Sequence, residues 1–175
     1  GMVVCEPSGK LNSRKSKGYV RDVFQQNHMN NLQGNLGIGH VRYPTAGGIG
    51  KEFAQPMYVN TPYGISLAHN GNLTNSKKLA AELFHAERRH INTDSDSEVL
   101  LNIFALELSK QEAVFPKPKD FFSAVEKTHL RINGAYAVVA LITGYGILAF
   151  RDPLGIRPLS IGIRKGKNRN EYVVS

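Results

Sequence analysis

Four stretches of this 175-residue chain hold residue types that can do chemistry. In Gly39-His40-Val41-Arg42-Tyr43-Pro44-Thr45 an arginine stands at the end of an apolar segment, beside a glycine-rich loop. An arginine there needs an anionic partner because it cannot shed its charge, and a bound carboxylate or a structural ion pair would both serve. His69-Asn70-Gly71-Asn72 follows a second apolar run. A side-chain amide next to a glycine N–H can hold a developing oxyanion between two donors; an Asn-Gly pair is equally the sequence of a tight turn. Thr93-Asp94-Ser95-Asp96-Ser97-Glu98 gathers carboxylates that suit an ammonium group, a metal or the N-terminus of a helix. Calcium-loop spacing is absent. Phe150-Arg151-Asp152-Pro153-Leu154-Gly155-Ile156-Arg157-Pro158-Leu159 is a loop stiffened by prolines, and its charges read as a structural network.

A nucleophile is harder to find. The one cysteine, Cys5, precedes Glu6-Pro7-Ser8-Gly9, which is no activating context for a thiol, and reads as a strand end. There is no Gly-x-Ser-x-Gly elbow, no phosphate-binding Walker loop and no His-Glu-x-x-His, and Gly47-Gly48-Ile49-Gly50 lacks dinucleotide spacing. A single cysteine rules out an internal disulfide and a cysteine-built zinc site, and suggests a reducing, cytoplasmic setting.

The elements that must position these residues alternate between short strands and amphipathic helices. Tyr19 to Leu32 places Val20, Val23, Phe24 and Met29 near helical spacing. Leu36 to Tyr43 predicts a buried strand ended by Pro44, and residues 45–56 a loop. Tyr58 to Asn60 and Tyr63 to His69 predict two strands joined at Thr61-Pro62. A helix is expected from Asn72 or Thr74 to Arg89 with Leu79, Leu83 and Phe84 inward, and another from the Thr93–Ser97 region through Leu106. A third, Asp120 to Leu130, presents Phe121, Phe122, Val125 and Leu130. Gly134 to Ile142 and Ile147 to Phe150 flank Thr143-Gly144-Tyr145-Gly146 as a hairpin. A second hairpin joins Leu159–Ile163 to Glu171–Val174. Strands, then helices, then strands predict an α+β fold with antiparallel sheet and helices outside.

Composition sets the outer bounds. Hydrophobic residues make 41% and charged residues 21% of the chain, as in a soluble protein of one domain. The longest apolar run, Ala135 to Ile142, is a strand's length, so no membrane partner is expected. The net charge of +8 comes from scattered groups such as Arg88-Arg89-His90 and Arg164-Lys165-Gly166-Lys167. No motif of a nucleic-acid binder accompanies them, and no nucleic-acid partner is expected.

Together the four stretches carry a resemblance. Gly37-Ile38-Gly39-His40-Val41-Arg42-Tyr43-Pro44-Thr45-Ala46-Gly47 resembles the arginine strand of class II glutamine amidotransferases, in the amidophosphoribosyltransferase form. Ala68-His69-Asn70-Gly71-Asn72-Leu73-Thr74-Asn75 resembles that family's oxyanion motif, Ile91 to Glu98 its substrate-aspartate motif, and Phe150 to Leu159 its late loop. The pattern can be followed along nearly the whole chain. Glucosamine-6-phosphate synthase and asparagine synthetase are less similar.

The resemblance implies an N-terminal-nucleophile fold, a four-layer αββα sandwich of mainly antiparallel sheets, incomplete at its N-terminus here. It implies a cysteine at the start of the mature chain that attacks the glutamine carboxamide. By matching position, the Asn70 side-chain amide and the Gly71 N–H would hold the oxyanion, Arg42 the glutamine α-carboxylate and Asp96 the α-ammonium. Tyr43 and Thr45 would line the pocket. Ammonia would then react with phosphoribosyl pyrophosphate in a second domain, giving phosphoribosylamine for purine synthesis. Position 1 here is glycine, and the family's Cys-Gly-Ile opening is not found. Residues 1–175 are therefore expected to be part of the glutaminase domain, without its nucleophile or the phosphoribosyltransferase domain, and inactive alone. The alternatives are a non-enzymatic glutamine-binding or assembly module, or the glutaminase domain of another class II amidotransferase. No cofactor is expected in this chain, with Mg2+ confined to the phosphoribosyltransferase domain, and a homo-oligomer is expected.

Overall fold

The computed structural model describes residues 1–42, 50–167 and 169–175. Nine strands and five α-helices lie among them. The first sheet is β2–β1–β3, with β1 (Met2–Cys5) between β2 (Leu11–Arg14) and β3 (Leu36–Gly39), both antiparallel to it. The second sheet is β4–β5–β6–β7: β4 (Met57–Val59), β5 (Ile65–Leu73), β6 (Gly134–Ile142) and β7 (Gly146–Arg151). Every pairing in it is antiparallel. A separate hairpin, β8 (Ile161–Lys165) with β9 (Asn170–Val174), follows.

Alternation along β5 and β6 decides the layers. Ile65, Leu67, Tyr136, Val138, Ala140 and Ile142 point to the helices and join one large core with them. Leu141 and Val139 point the other way and meet Val3, Cys5 and Ile38 of the first sheet. The two sheets thus stack, and the helices cover the outer face of the second.

That helical layer is α3 (Ser76–His85), α4 (Asp96–Ser109) and α5 (Pro118–Arg131). Helix α4 runs between the other two and against β4 and β5. It is buried on every side, with Leu100, Leu101, Ile103, Phe104 and Ala105 fully inaccessible. A helix apolar all round belongs inside a protein, and Val99-Leu100-Leu101 with Ile103-Phe104-Ala105-Leu106 is such a sequence. Its buried Glu107 is neutralised by the Arg131 guanidinium at 2.6 Å and the Lys110 ammonium at 3.3 Å.

Several expectations are corrected. The helix over Tyr19–Leu32 is broken into α1 (Val20–Val23) and α2 (Gln26–Asn30). Only Val23 of the two is buried, so neither has a face to pack. Strand β3 stops at Gly39 rather than Tyr43. Phe84, Phe122 and Leu130 stand exposed, because α3 and α5 turn Leu79, Leu83, Phe121, Ala124 and Val125 to the core instead. The Asn70-Gly71 pair makes no turn, for β5 runs through it to Leu73.

The packing fixes a contrast in stability. Leu100→Ala should destabilise the fold by about 2–5 kcal/mol, the cost of a cavity in a full core. Leu130→Ala, at a residue 82% exposed, should stay within about 0.5 kcal/mol. Urea unfolding of both variants measures the difference.

Candidate active site

The site grows from an unequal pairing of strands. β5 is nine residues long and β4 is three, pairing only with Ile65 to Leu67. On its other side β5 pairs with β6 over its whole length. Thr143 donates to the Gly64 carbonyl and Thr74 to the Asn133 carbonyl, so the even-numbered residues of β5 bond to β6. The odd-numbered amides point towards β4. Past Leu67 there is no β4 to receive them, and His69, Gly71 and Leu73 present their N–H groups along an open edge.

Two of these three amides are taken by side chains. His69 N–H donates to Gln55 Oε1 at 2.7 Å. Leu73 N–H donates to Asp96 Oδ2 at 2.9 Å. Gly71 N–H, between them, has no acceptor among the described residues. Glycine is required at 71: φ is +152°, and a Cβ would lie 2.0 Å from the Ala135 carbonyl oxygen.

Asp96 opens α4, where Ser95 is the N-cap and its hydroxyl accepts from Ser97 N–H at 3.3 Å. The cap reading and the site reading of this stretch therefore both describe it. A carboxylate there is also favoured by the helix dipole. Its Oδ1 is 3.9 Å from His69 Nδ1, and no lysine or arginine lies within ion-pair distance of it among the described residues. Burial, more than any other influence, keeps the His69 pKa below its ordinary value. Asp96 opposes that shift and Arg157 adds to it. Asp96 thus faces a ring held towards its neutral form.

Arg42 follows β3 and lines a cavity of about 600 Å3 together with His40, Tyr19, Phe24, Phe53 and Gln55. Its guanidinium carbon is 5.6 Å from the centre of the Phe53 ring. Gln55 belongs both to this cavity and to the edge of β5, and so joins the two. The structure thus brings Asp96 and Gly71 onto one strand edge, with Arg42 in the adjoining cavity. The Asn70 side chain, on the opposite face of β5 from His69, is exposed. Tyr43 and Thr45 lie outside the described residues.

Gln55, Ser97 and His69 were not picked out from the sequence as members of this site. Gln55 is buried in what reads as a loop, and Ser97 sits inside a capping pattern. Cys5, as expected, is a buried strand end, its Sγ against the Glu6 carbonyl. The Arg151–Asp152–Arg157 charge network is corrected. Asp152 bonds to backbone rather than to a guanidinium, accepting from Ile156 N–H at 2.9 Å, Arg157 N–H at 3.0 Å and Tyr136 N–H at 3.3 Å. These donors, Arg157 first, hold its carboxyl below the usual range.

A model of the glutamine amidotransferase domain matches residues 49–174. The chain belongs to the glutamine amidotransferase domain family. Amidophosphoribosyltransferase of Pseudomonas aeruginosa is 56% identical over 175 residues, which is all of this chain and 35% of that protein. The Escherichia coli amidophosphoribosyltransferase is 54% identical over 176 residues, again covering all of this chain and 35% of the relative. The chain thus spans about a third of the length of the curated relatives it matches. Among solved structures, glutamine phosphoribosylpyrophosphate amidotransferase from B. subtilis, complexed with ADP and GMP, superposes with a TM-score of 0.77 at 31% identity. A structure described as the allosteric regulatory enzyme of purine biosynthesis gives 0.78 at 32%. Each covers 99% of this chain and takes in 34% of the other. The α+β sandwich is the N-terminal-nucleophile fold of this amidotransferase family.

His40, at the mouth of the Arg42 cavity, gives the region a pH dependence. Burial first, then the Gly1 amine, His69 and Arg42, lower its pKa from 6.5 to about 4. The unfolded chain therefore takes up a proton before the folded one does. Stability should be full above pH 6.5 and fall as pH drops towards 4. His40→Gln should flatten that part of the curve, as read by urea unfolding across the range.

Proposed function

We propose that this chain is the glutamine-hydrolysing part of an amidophosphoribosyltransferase, and that the open edge of β5 is where the substrate amide is held. The observation that carries the reading is the Gly71 N–H, a donor without an acceptor among the described residues, between two that have one. Beside the Asn70 amide it makes a two-donor site for the oxyanion that forms when a nucleophile adds to the glutamine carboxamide. Asp96 supplies a carboxylate, without a lysine or arginine partner among the described residues, for the α-ammonium group. Arg42 supplies a planar guanidinium for the α-carboxylate. Tyr43 and Thr45 line the same pocket in this reading.

The thiol for the attack does not come from these residues. Cys5 is packed with Val3, Ile38 and Leu141 between the sheets, where glutamine has no access. The nucleophile in this reading is an N-terminal cysteine of the intact protein. Its thiolate would add to the amide carbon, and collapse of the tetrahedral adduct would expel ammonia and leave a thioester for water to cleave. The ammonia passes to a phosphoribosyltransferase portion and phosphoribosyl pyrophosphate, giving phosphoribosylamine for purine synthesis. Magnesium belongs to that portion, and no metal is assigned to residues 1–175. A cytoplasmic homo-oligomer is part of the same reading.

Calorimetry and a glutaminase assay test it together. The intact protein should bind glutamine, and Arg42→Ala or Asp96→Asn should each weaken binding about 10- to 100-fold, the worth of one charge-assisted contact. Residues 1–175 alone should release no glutamate, with or without Cys5→Ala. Binding that ignores both charge variants, or glutamate release by the isolated chain, would overturn the assignment.

A further inference from the structure

A buried polar triangle stands behind the edge of β5. His69, Ser97 and Gln55 expose 3%, 2% and 6% of their surface. Gln55 Nε2 donates to Ser97 Oγ at 3.0 Å, and His69 Nδ1 lies 3.0 Å from the same oxygen. Giving each donor an acceptor assigns the protons in this set. The His69 backbone N–H needs an acceptor, so the Gln55 amide must present Oε1 to it. That turns Gln55 Nε2 towards Ser97, whose oxygen then accepts. The one hydroxyl proton of Ser97 is left to donate, and His69 Nδ1 is its acceptor. This assignment leaves Nδ1 unprotonated and puts the ring proton on Nε2. That Nε2 atom is buried and has no partner among the described residues. The charged and titratable groups acting on the imidazole are Asp96, Arg157 and His40.

We propose that His69 is a positioning residue: fixed as its Nε2–H tautomer by Ser97 and Gln55, it locks the first turn of α4 to the open edge of β5 and so sets Asp96 against Gly71. The inference rests on the glutamine reading given above and adds to it three residues that touch no substrate. Gln55 ties the strand amide at 69 to the hydroxyl at 97, and His69 ties its own ring to that hydroxyl. Asp96, the residue before Ser97, is thereby held where its Oδ2 meets Leu73 N–H. Among the described residues, the hydrogen bond left between α4 and β5 in this region without the triangle is that from Leu73 N–H to Asp96; the rest is apolar packing, which tolerates sliding. A site tolerates little sliding, since donors and charges must stay within about 0.5 Å of their working positions.

Conservative variants separate this role from direct contact with the ligand. In His69→Asn the amide oxygen takes the place of Nδ1 and can still accept from Ser97. In His69→Gln the amide sits where Nε2 was, and the Ser97 bond is lost. On the intact protein, His69→Asn should keep glutamine affinity within about twofold, while His69→Gln and Ser97→Ala should lose about tenfold, the worth of one hydrogen bond. Proton–nitrogen NMR of histidine-labelled protein should show His69 as the Nε2–H tautomer in the wild type, and a changed tautomer in Ser97→Ala. Circular dichroism confirms that each variant folds. An Nδ1–H tautomer in the wild type overturns the proposal. So does the reverse ranking, with His69→Gln tolerated and His69→Asn not, which would put Nε2 on the ligand. Wild-type protein that binds no glutamine sinks the functional reading instead. The tautomer and its response to Ser97→Ala still judge the triangle, so the two failures are distinct.

Discussion

A strand that outlasts its neighbour must find acceptors for the amides it leaves behind. An unpaired backbone N–H that cannot reach water costs about as much as a lost hydrogen bond, and an open strand edge invites foreign pairing. Here β5 continues for six residues after β4 has stopped pairing at Leu67. The demand is met by Gln55 at one end and Asp96 at the other. Asp96 can serve only if the amino end of α4 lies beside Leu73. That requires the body of α4 to run through the middle of the helical layer, which explains why it is buried on all sides. The proposed site is what remains of the edge once its other amides have been satisfied.

Much of this architecture is legible in the residues. The β6–β7 hairpin is announced by nine apolar or small residues and a glycine turn, and α4 by a run that has no polar face. Segments without a partner misled. Tyr19 to Leu32 has apolar residues near helical spacing, yet Gln25, Gln26, Asn27, Asn30 and Asn31 are in the same stretch. Asparagine is a poor helix former, and periodicity without burial does not overcome the cost of nucleation. The phenylalanine pair at 121–122 shows a finer limit. Both residues are equally apolar, and only the packing of α5 on α4 selects Phe121 for the core.

The residues of the proposed site stand out by type, and those that support them do not. Arg42, Asp96 and the Asn70-Gly71 pair announce themselves by residue type, since a carboxylate or guanidinium near an apolar run demands a reason. Gln55 and Ser97 are ordinary residues in ordinary contexts. They are 42 positions apart, and Gln55 is 14 from His69. No local pattern links such positions; only the closing of β5 against α4 does. The Asn-Gly pair illustrates the reverse error. Its turn propensity is real, but Gly71 is used here for close approach to the Ala135 carbonyl, and the strand continues.

The Asp152 loop shows the same economy of charge. Asp152 sits 2% exposed and is satisfied by backbone donors instead of by Arg151 or Arg157. Its bond to Tyr136 N–H anchors the loop to the residue that stands opposite Gly71 in the ladder. Asp96 is treated alike, one of its oxygens held by an amide and neither by a lysine or arginine among the described residues. Backbone donors fix a carboxylate's position without cancelling its charge, whereas a salt bridge does both. A protein that must present a carboxylate to a cationic ligand gains from the first arrangement and loses from the second. Burial, and to a lesser degree Arg157, lower the pKa of His69, so the ring beside Asp96 is held towards its neutral form. Asp96 is thus held in place by a backbone amide without a lysine or arginine partner among the described residues, which suits the ammonium-binding role proposed for it.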